Sequence, residues 1–150
     1  MTNNTGEYFI NSGNGLTTAM IFAAGLGTRL KPWTDHHPKA LALINGKPLL
    51  QRNIEYLRGF GITNIIINVH HFAGQVIGFL NAHDHFNCNI TVSHEKEEPL
   101  ETGGGLKKAA AFLQNANPFL VMNADILTDL NINAMLGFHR QHRPLVTLAV

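Results

Sequence analysis

The amino-acid sequence predicts an α/β fold, an open and mostly parallel sheet with helices on both faces. Three observations carry that expectation. Short apolar or β-branched runs alternate with segments of helical period from residue 18 onward, a glycine loop follows the first of those runs, and a later run, Phe119 to Asp125, ends in a carboxylate. Strands that alternate with helices form parallel sheets with right-handed crossovers, and ligands of such sheets sit beyond the carboxyl ends of the strands.

Thr18 to Ala24 is short and apolar, as a strand buried on both faces should be. Ala40 to Ile44 is expected to be a short extended piece, and Asn45-Gly46 is a turn signal. Pro48 to Gly59 reads as a helix, with Leu49, Leu50, Ile54 and Leu57 at helical spacing and Pro48 in the first turn, where its missing N–H costs nothing. Thr63 to Val69 is a second strand, and Ala73 to Ala82 a helix with Val76, Ile77 and Leu80 inward. Asn89 to His94 alternates as a third strand. Gly104 to Gln114 is a helix, Pro118 to Asn123 a fourth strand, Ile132 to Arg140 a helix, and Leu145 to Val150 the start of a fifth strand. The sum is a Rossmann-like sheet without evident repeats, low-complexity segments or linkers.

The most informative stretch is Ala23 to Leu41, AAGLGTRLKPWTDHHPKAL. Gly25 and Gly27 permit backbone angles and a close ligand approach that a Cβ would obstruct, so amides there can point at phosphate oxygens. Thr28 adds a hydroxyl, Arg29 a planar fork suited to bidentate phosphate contact, and Lys39 a mobile cation. Pro32, Thr34 and Pro38 imply an ordered loop rather than a helix. Two better-known phosphate loops do not fit. The dinucleotide fingerprint lacks its third glycine, because Leu30 stands there, and G-x-x-x-x-G-K-[ST] is absent. An ordinary glycine turn would leave the regular placing of Thr28, Arg29, Pro32, Thr34, Pro38 and Lys39 unexplained.

The pattern G-x-G-T-R-x-x-P-x-T followed by P-K-x-L resembles the signature of the sugar-1-phosphate nucleotidyltransferases, or nucleoside-diphosphate-sugar pyrophosphorylases. The resemblance covers roughly Ala19 to the last residue. It implies that Ala23, Ala24, Gly25, Gly27 and Thr28 hold a nucleoside triphosphate. It also implies that Arg29 lies against the β- and γ-phosphates, and that Lys39 supports the phosphate at the reacting centre, these two being the catalytic cations. The glycine-rich stretch Glu97 to Gly105 leaves the third strand and opens a helix, where amides favour anionic or carbonyl acceptors. In the family such a segment contacts the base, which implies nucleotide contacts for Thr102, Gly103 and Gly104; the wording E-P-L-E-T-G-G-G is especially similar to the N-acetylmuramate-1-phosphate uridylyltransferase branch. Asp125, at a strand's carboxyl end near the phosphates, is well placed for Mg²⁺, which takes one or two carboxylates plus phosphate oxygens and water. The family usually has G-D there, and its aspartate binds the metal; Ala124 replaces that glycine. The alternative for Asp125, with Thr128 and Asp129 following, is a helix or turn cap.

Composition bounds the rest. The chain has 150 residues, 45% hydrophobic and 14% charged, enough for one domain with a real core. A formal net charge of +1 without a basic run implies no nucleic-acid partner, and no apolar run reaches membrane-spanning length. The single cysteine, Cys88, excludes an intrachain disulfide and reads as a structural thiol in a reducing compartment. Residues 1–17 are polar, not a signal peptide, and read as a flexible tail or a short extra strand through Tyr8-Phe9-Ile10, so the protein is expected in the cytoplasm. Among nine histidines, the pairs His36-His37, His70-His71 and His83-x-His85 lack a zinc-site pattern, and only His70 and His71 stand where they would border a nucleotide pocket.

The resemblance thus implies that residues 18–150 form the nucleotide-binding part of an enzyme joining a nucleoside triphosphate, UTP by preference, to N-acetylmuramate 1-phosphate or a similar sugar 1-phosphate. Mannose-1-phosphate guanylyltransferase is the next reading, then a thymidylyl- or cytidylyl-transferring relative. A noncatalytic nucleotide-binding or regulatory domain is the alternative from another class. Family members continue past this length, and their sugar-binding residues and second metal aspartate lie beyond it, so a truncated enzyme is expected.

Overall fold

The computed structural model describes residues 16–150; the strand suggested through Tyr8 to Ile10 and most of the 1–17 tail lie outside the described residues. Four strands make the main sheet: β1 (Thr18–Phe22), β4 (Asn64–Val69), β5 (Asn89–His94) and β6 (Leu120–Asn123). Their order across the sheet is β5-β4-β1-β6, and every pairing is parallel. A separate two-stranded hairpin, β2 (Leu43–Ile44) and β3 (Lys47–Pro48), turns on Asn45 and Gly46, whose φ angles of 49° and 73° are the left-handed pair that a tight hairpin requires. The helices are α1 (Leu49–Gly59), α2 (Ala73–Ala82), α3 (Glu101–Leu113) and α4 (Ile132–His142).

Alternation along the strands decides which helix covers which face. Ala19 and Ile21 of β1 and Ile65 and Ile67 of β4 pair in register and pack with Leu50, Ile54 and Leu57 of α1 and Val76 and Leu80 of α2. The residues between them, Met20 and Ile66, face the other way and pack with Ala109 and Leu113 of α3. Both faces of β1 are therefore covered, as its unbroken apolar run demands.

The strand order carries the functional consequence. From β1 the chain moves outward to β4 and β5, then returns to the other side of β1 to lay down β6. The crevice between the carboxyl ends of β1 and β6 is the topological switch point, where sheets of this kind bind ligands.

Four local expectations are corrected. Pro48 does not sit inside the first turn of α1 but precedes it, as its N-cap and the end of β3. Ala40 belongs to a 3₁₀ turn, Lys39–Leu41, rather than to an extended piece. Helix α3 begins at Glu101 rather than at Gly104, so Gly103 is helical as well. Leu145 to Val150 forms no strand, because a strand needs a hydrogen-bonding partner and the described residues supply none. Part of that segment instead lies against α4, with the His139 ring and the Thr147 hydroxyl 2.9 Å apart.

Ile67 is fully buried at the centre of the larger cluster. Ile67→Ala is expected to cost about 2–5 kcal/mol, read as a lower urea midpoint at unchanged slope.

Candidate active site at the switch point

A cavity of about 550 Å³ opens at the β1/β6 crevice. Most of its wall comes from three places, the loop after β1 from Ala23 to Arg29 together with Lys39, the end of β6 from Asn123 to Asp125, and the start of α3 at Glu101 and Thr102, with Asn68 and Glu95 near the ends of β4 and β5 lining it as well.

The loop is ordered, as expected, by three successive 3₁₀ turns at Thr28–Leu30, Trp33–Asp35 and Lys39–Leu41. Gly27 is its hinge. Its φ is 64°, and a Cβ there would stand 2.9 Å from the Lys39 Cβ and 3.0 Å from the Thr34 methyl, so only glycine lets the two limbs of the loop close on each other. Thr34, buried beneath, donates its hydroxyl to the Gly27 carbonyl at 3.0 Å. Gly25 has no left-handed φ and nothing within 4 Å of where its Cβ would be, so open space remains above that backbone.

Closure of the loop brings Lys39 across the crevice, where its ammonium donates to the Asp125 Oδ2, a residue 86 positions away in sequence. The turn that carries Asp125 is held from both sides. The Ala124 N–H donates to the Phe22 carbonyl at 2.9 Å, and the Ala124 carbonyl accepts from the buried Asn53 amide at 2.7 Å. Ala124 takes no left-handed φ, so the methyl that replaces the family's glycine introduces no backbone strain. Helix α4 is capped by Asn131, whose Oδ1 accepts from the Ala134 N–H at 3.0 Å. Asp125 thus does not serve as the cap.

The hydrogen bond from Lys39 holds the Asp125 carboxyl below its ordinary 3.8. Partial burial opposes this, and the charges of Lys39 and Arg29 reinforce it. Arg29 itself lines the cavity, is exposed, and has no ion-pair partner among the described residues. A planar fork and a glycine loop stand on one side of the crevice and a carboxylate on the other, groups whose chemistry suits phosphate oxygens and a hard cation respectively.

Residues 18–150 match the family described as Nucleotidyl transferase. The chain belongs to the nucleotidyl transferase family. It is 40% identical over 116 residues to the N-acetylmuramate alpha-1-phosphate uridylyltransferase of Neisseria meningitidis serogroup B, covering 77% of this chain and 50% of that protein. It is 35% identical over 134 residues to mannose-1-phosphate guanyltransferase beta-B of Xenopus laevis, covering 88% of this chain and 37% of the relative. The crystal structure of HddC from Yersinia pseudotuberculosis complexed with GMP-PN superposes with a TM-score of 0.74 at 33% identity, over 83% of this chain and 54% of that one. The chain thus spans about half the length of the curated relatives it matches, or less.

In this nucleotidyl transferase chain Ala23, Ala24, Gly25, Gly27, Thr28, Arg29, Lys39, Thr102 and Asp125 all converge on the one cavity. Gly103 and Gly104 do not line it. Gly104 and Gly105 serve packing: a Cβ at Gly104 would stand 2.8 Å from the Leu100 Cβ, and one at Gly105 would stand 2.9 Å from both Asn68 and Glu95, whereas a Cβ at Gly103 would meet nothing within 4 Å. His70 and His71 also lie outside the lining; the His70 Nδ1 is 2.6 Å from the Glu95 carbonyl, which can only accept, so that nitrogen carries the proton. No group of three His, Cys, Asp or Glu suited to a metal occurs among the described residues. Cys88 is a free thiol pushed up by burial. Among the described residues no helix is long and apolar enough to cross a membrane.

Among the cavity residues that escape the sequence reading are Asn68, one short of the end of β4, and Glu95, directly after β5. The available signal was a polar residue closing an apolar run at the ligand edge of a parallel sheet.

Because the Asp125 carboxyl is held low, its contribution to stability is complete above pH 3.8 and lost as pH falls through the lowered value. In Lys39→Met its titration is expected to move back up towards 3.8, followed by carbon-detected NMR of the Asp125 side chain.

Proposed function

We propose that this chain binds the nucleoside triphosphate of a sugar-1-phosphate nucleotidyltransferase, with UTP as the preferred nucleotide and N-acetylmuramate 1-phosphate or a similar sugar phosphate as acceptor. The observation that carries the reading is the meeting of Lys39 and Asp125 across the switch-point crevice, directly beside the glycine loop and Arg29. The uridylyltransferase relative at 40% identity supports the choice of base and sugar.

The reaction is an in-line displacement. An oxygen of the sugar 1-phosphate forms a bond to the α-phosphorus, the bond from that phosphorus to the β-phosphate oxygen breaks, and pyrophosphate leaves with the electron pair. The attacking oxygen is already anionic, so no general base is required. The protein's part is positioning and charge neutralisation. Arg29 is assigned to the β- and γ-phosphates, where charge builds on the leaving group, and Lys39 to the phosphate that reacts. Free amides from Ala24 to Thr28 complete the cradle, and Thr102 faces the base.

Asp125 fits Mg²⁺ in the manner that ion prefers, one carboxylate with the remaining positions left to phosphate oxygens and water. When bound, the ion would neutralise triphosphate charge. Lys39 would then exchange Asp125 for phosphate, a swap of one anionic partner for another.

A second reading, guanylyl transfer from GTP, is favoured by the guanyltransferase relative and by the superposition on HddC complexed with GMP-PN. Calorimetry with UTP, GTP, dTTP and CTP in Mg²⁺ separates the two. UTP is expected to bind tightest; GTP tightest would select the second reading, and no heat from any of the four would overturn the nucleotide assignment. Arg29→Ala is expected to weaken UTP roughly ten- to hundredfold, since charge-assisted contacts are worth about 1.5–3 kcal/mol. UMP, which lacks the β- and γ-phosphates, should lose much less, and equal losses would move Arg29 out of its assigned place.

A further inference from the structure

At the cavity wall, four groups form an uninterrupted hydrogen-bond chain. The Ala23 N–H, the first amide of the phosphate loop, donates to the Asn68 Oδ1 at 2.8 Å. The Asn68 Nδ2 donates to the Glu95 Oε1 at 2.7 Å. The other carboxylate oxygen, Oε2, accepts the Leu100 N–H at 2.8 Å, immediately ahead of α3. Asn68 is 2% exposed and Glu95 1%, so water does not share these contacts.

The direction of every bond in this chain is forced. A backbone N–H can only donate, so the amide oxygen of Asn68 must face Ala23 and its NH₂ must face Glu95. Glu95 then receives donors at both oxygens, from Asn68 and from Leu100. Gly105 leaves the room for this, because its missing Cβ would press on both side chains. Burying a carboxylate is costly, and an apolar pair would tie two strand ends together at least as well. What an apolar pair cannot do is fix the two loops at defined hydrogen-bond geometry relative to each other.

We propose that Asn68 and Glu95 are positioning residues for the nucleotide: a one-way relay that holds the phosphate loop after β1 and the base-facing start of α3 in mutual register. This rests on the nucleotide reading of the cavity. The relay engages the Ala23 N–H and so leaves the following loop amides to the phosphates. It also ties the peptide at Leu100 two residues before Thr102. Neither residue need touch the ligand; they act through the two loops that do.

The one-way character supplies the test. Glu95→Gln places an NH₂ against either Asn68 or Leu100, a donor facing a donor. Asn68→Asp sets two carboxylates against each other. The double swap, Asn68→Asp with Glu95→Gln, restores every bond with the middle one reversed: Ala23 N–H to Asp, Gln NH₂ to Asp, Leu100 N–H to the Gln oxygen. Calorimetric Kd values for UTP and GTP with Mg²⁺ are measured below each variant's own melting transition, so that only folded protein is compared. Each single variant is expected to lose at least about tenfold in affinity, and the swap to return to within about threefold of wild type. A residue that only stabilised the fold would change melting temperature and leave the Kd of the folded protein unmoved. Wild-type affinity in the folded single variants, or a swap as weak as they are, would overturn the relay. If neither single variant folds, the swap decides alone: folded with near-wild-type affinity supports the relay, and unfolded or weak overturns it. Failure of the wild type to bind either nucleotide would instead overturn the underlying reading and the relay's role with it.

Discussion

The pairing of β1 with a parallel strand on each side is the constraint on which the site depends. Met20 is hydrogen-bond neighbour to Ile66 on one edge and Val121 on the other, so the chain must leave β1 in one direction and come back to it from the opposite one. That reversal opens the crevice. Because Phe22 is in register with Asn123, the turn bearing Asp125 arrives level with the start of the glycine loop. A slip of one residue would turn Asn123 and the strand's inward side chains to the other face. The loop supplies donors and cations, and the register brings it an acid.

Two of the three charges in the crevice satisfy each other. Lys39 and Asp125 neutralise each other in a partly exposed position, where an ion pair contributes little to stability and is correspondingly cheap to exchange. On the proposed reading, a triphosphate with its cation would offer each partner a replacement of the right sign. Arg29, exposed and without an ion-pair partner among the described residues, needs no such release. Below this adaptable layer lies a stiff one, the buried Asn68 and Glu95 chain and the Asn53 bond to Ala124, which holds the backbone that the upper layer relies on.

Much of this was legible because the information is local. The β-branched run ending at Val69, the helix Ala73–Ala82 and the strand Asn89–His94 are readable from period and composition, and the last two match residue for residue. The glycine loop is also self-contained, since Thr34 and Lys39 both close on Gly27 within a dozen residues. The glycines in the first turns of α3 misled for a physical reason. Glycine is a poor helix former, so the helix reads as starting only at Gly104, whereas it starts at Glu101; the missing Cβ atoms of Gly104 and Gly105 let it press against Leu100, Asn68 and Glu95, and packing outweighs propensity. Leu145 to Val150 has strand composition, but composition cannot supply a partner. The roles of Asn68 and Glu95 depend on contacts between neighbouring parallel strands, and no spacing in the sequence announces them.

The central claim is that the switch-point crevice receives the nucleotide, with its phosphates on the loop after β1. Mapping amide chemical-shift changes during titration with UTP and Mg²⁺ tests it most directly. The account expects the largest changes at Ala24 to Arg29, Thr102 and Asp125. Changes centred instead on Thr18, Asn64, Asn89 and Asn115, which line a second cavity of about 340 Å³ at the amino ends of the strands, would contradict it.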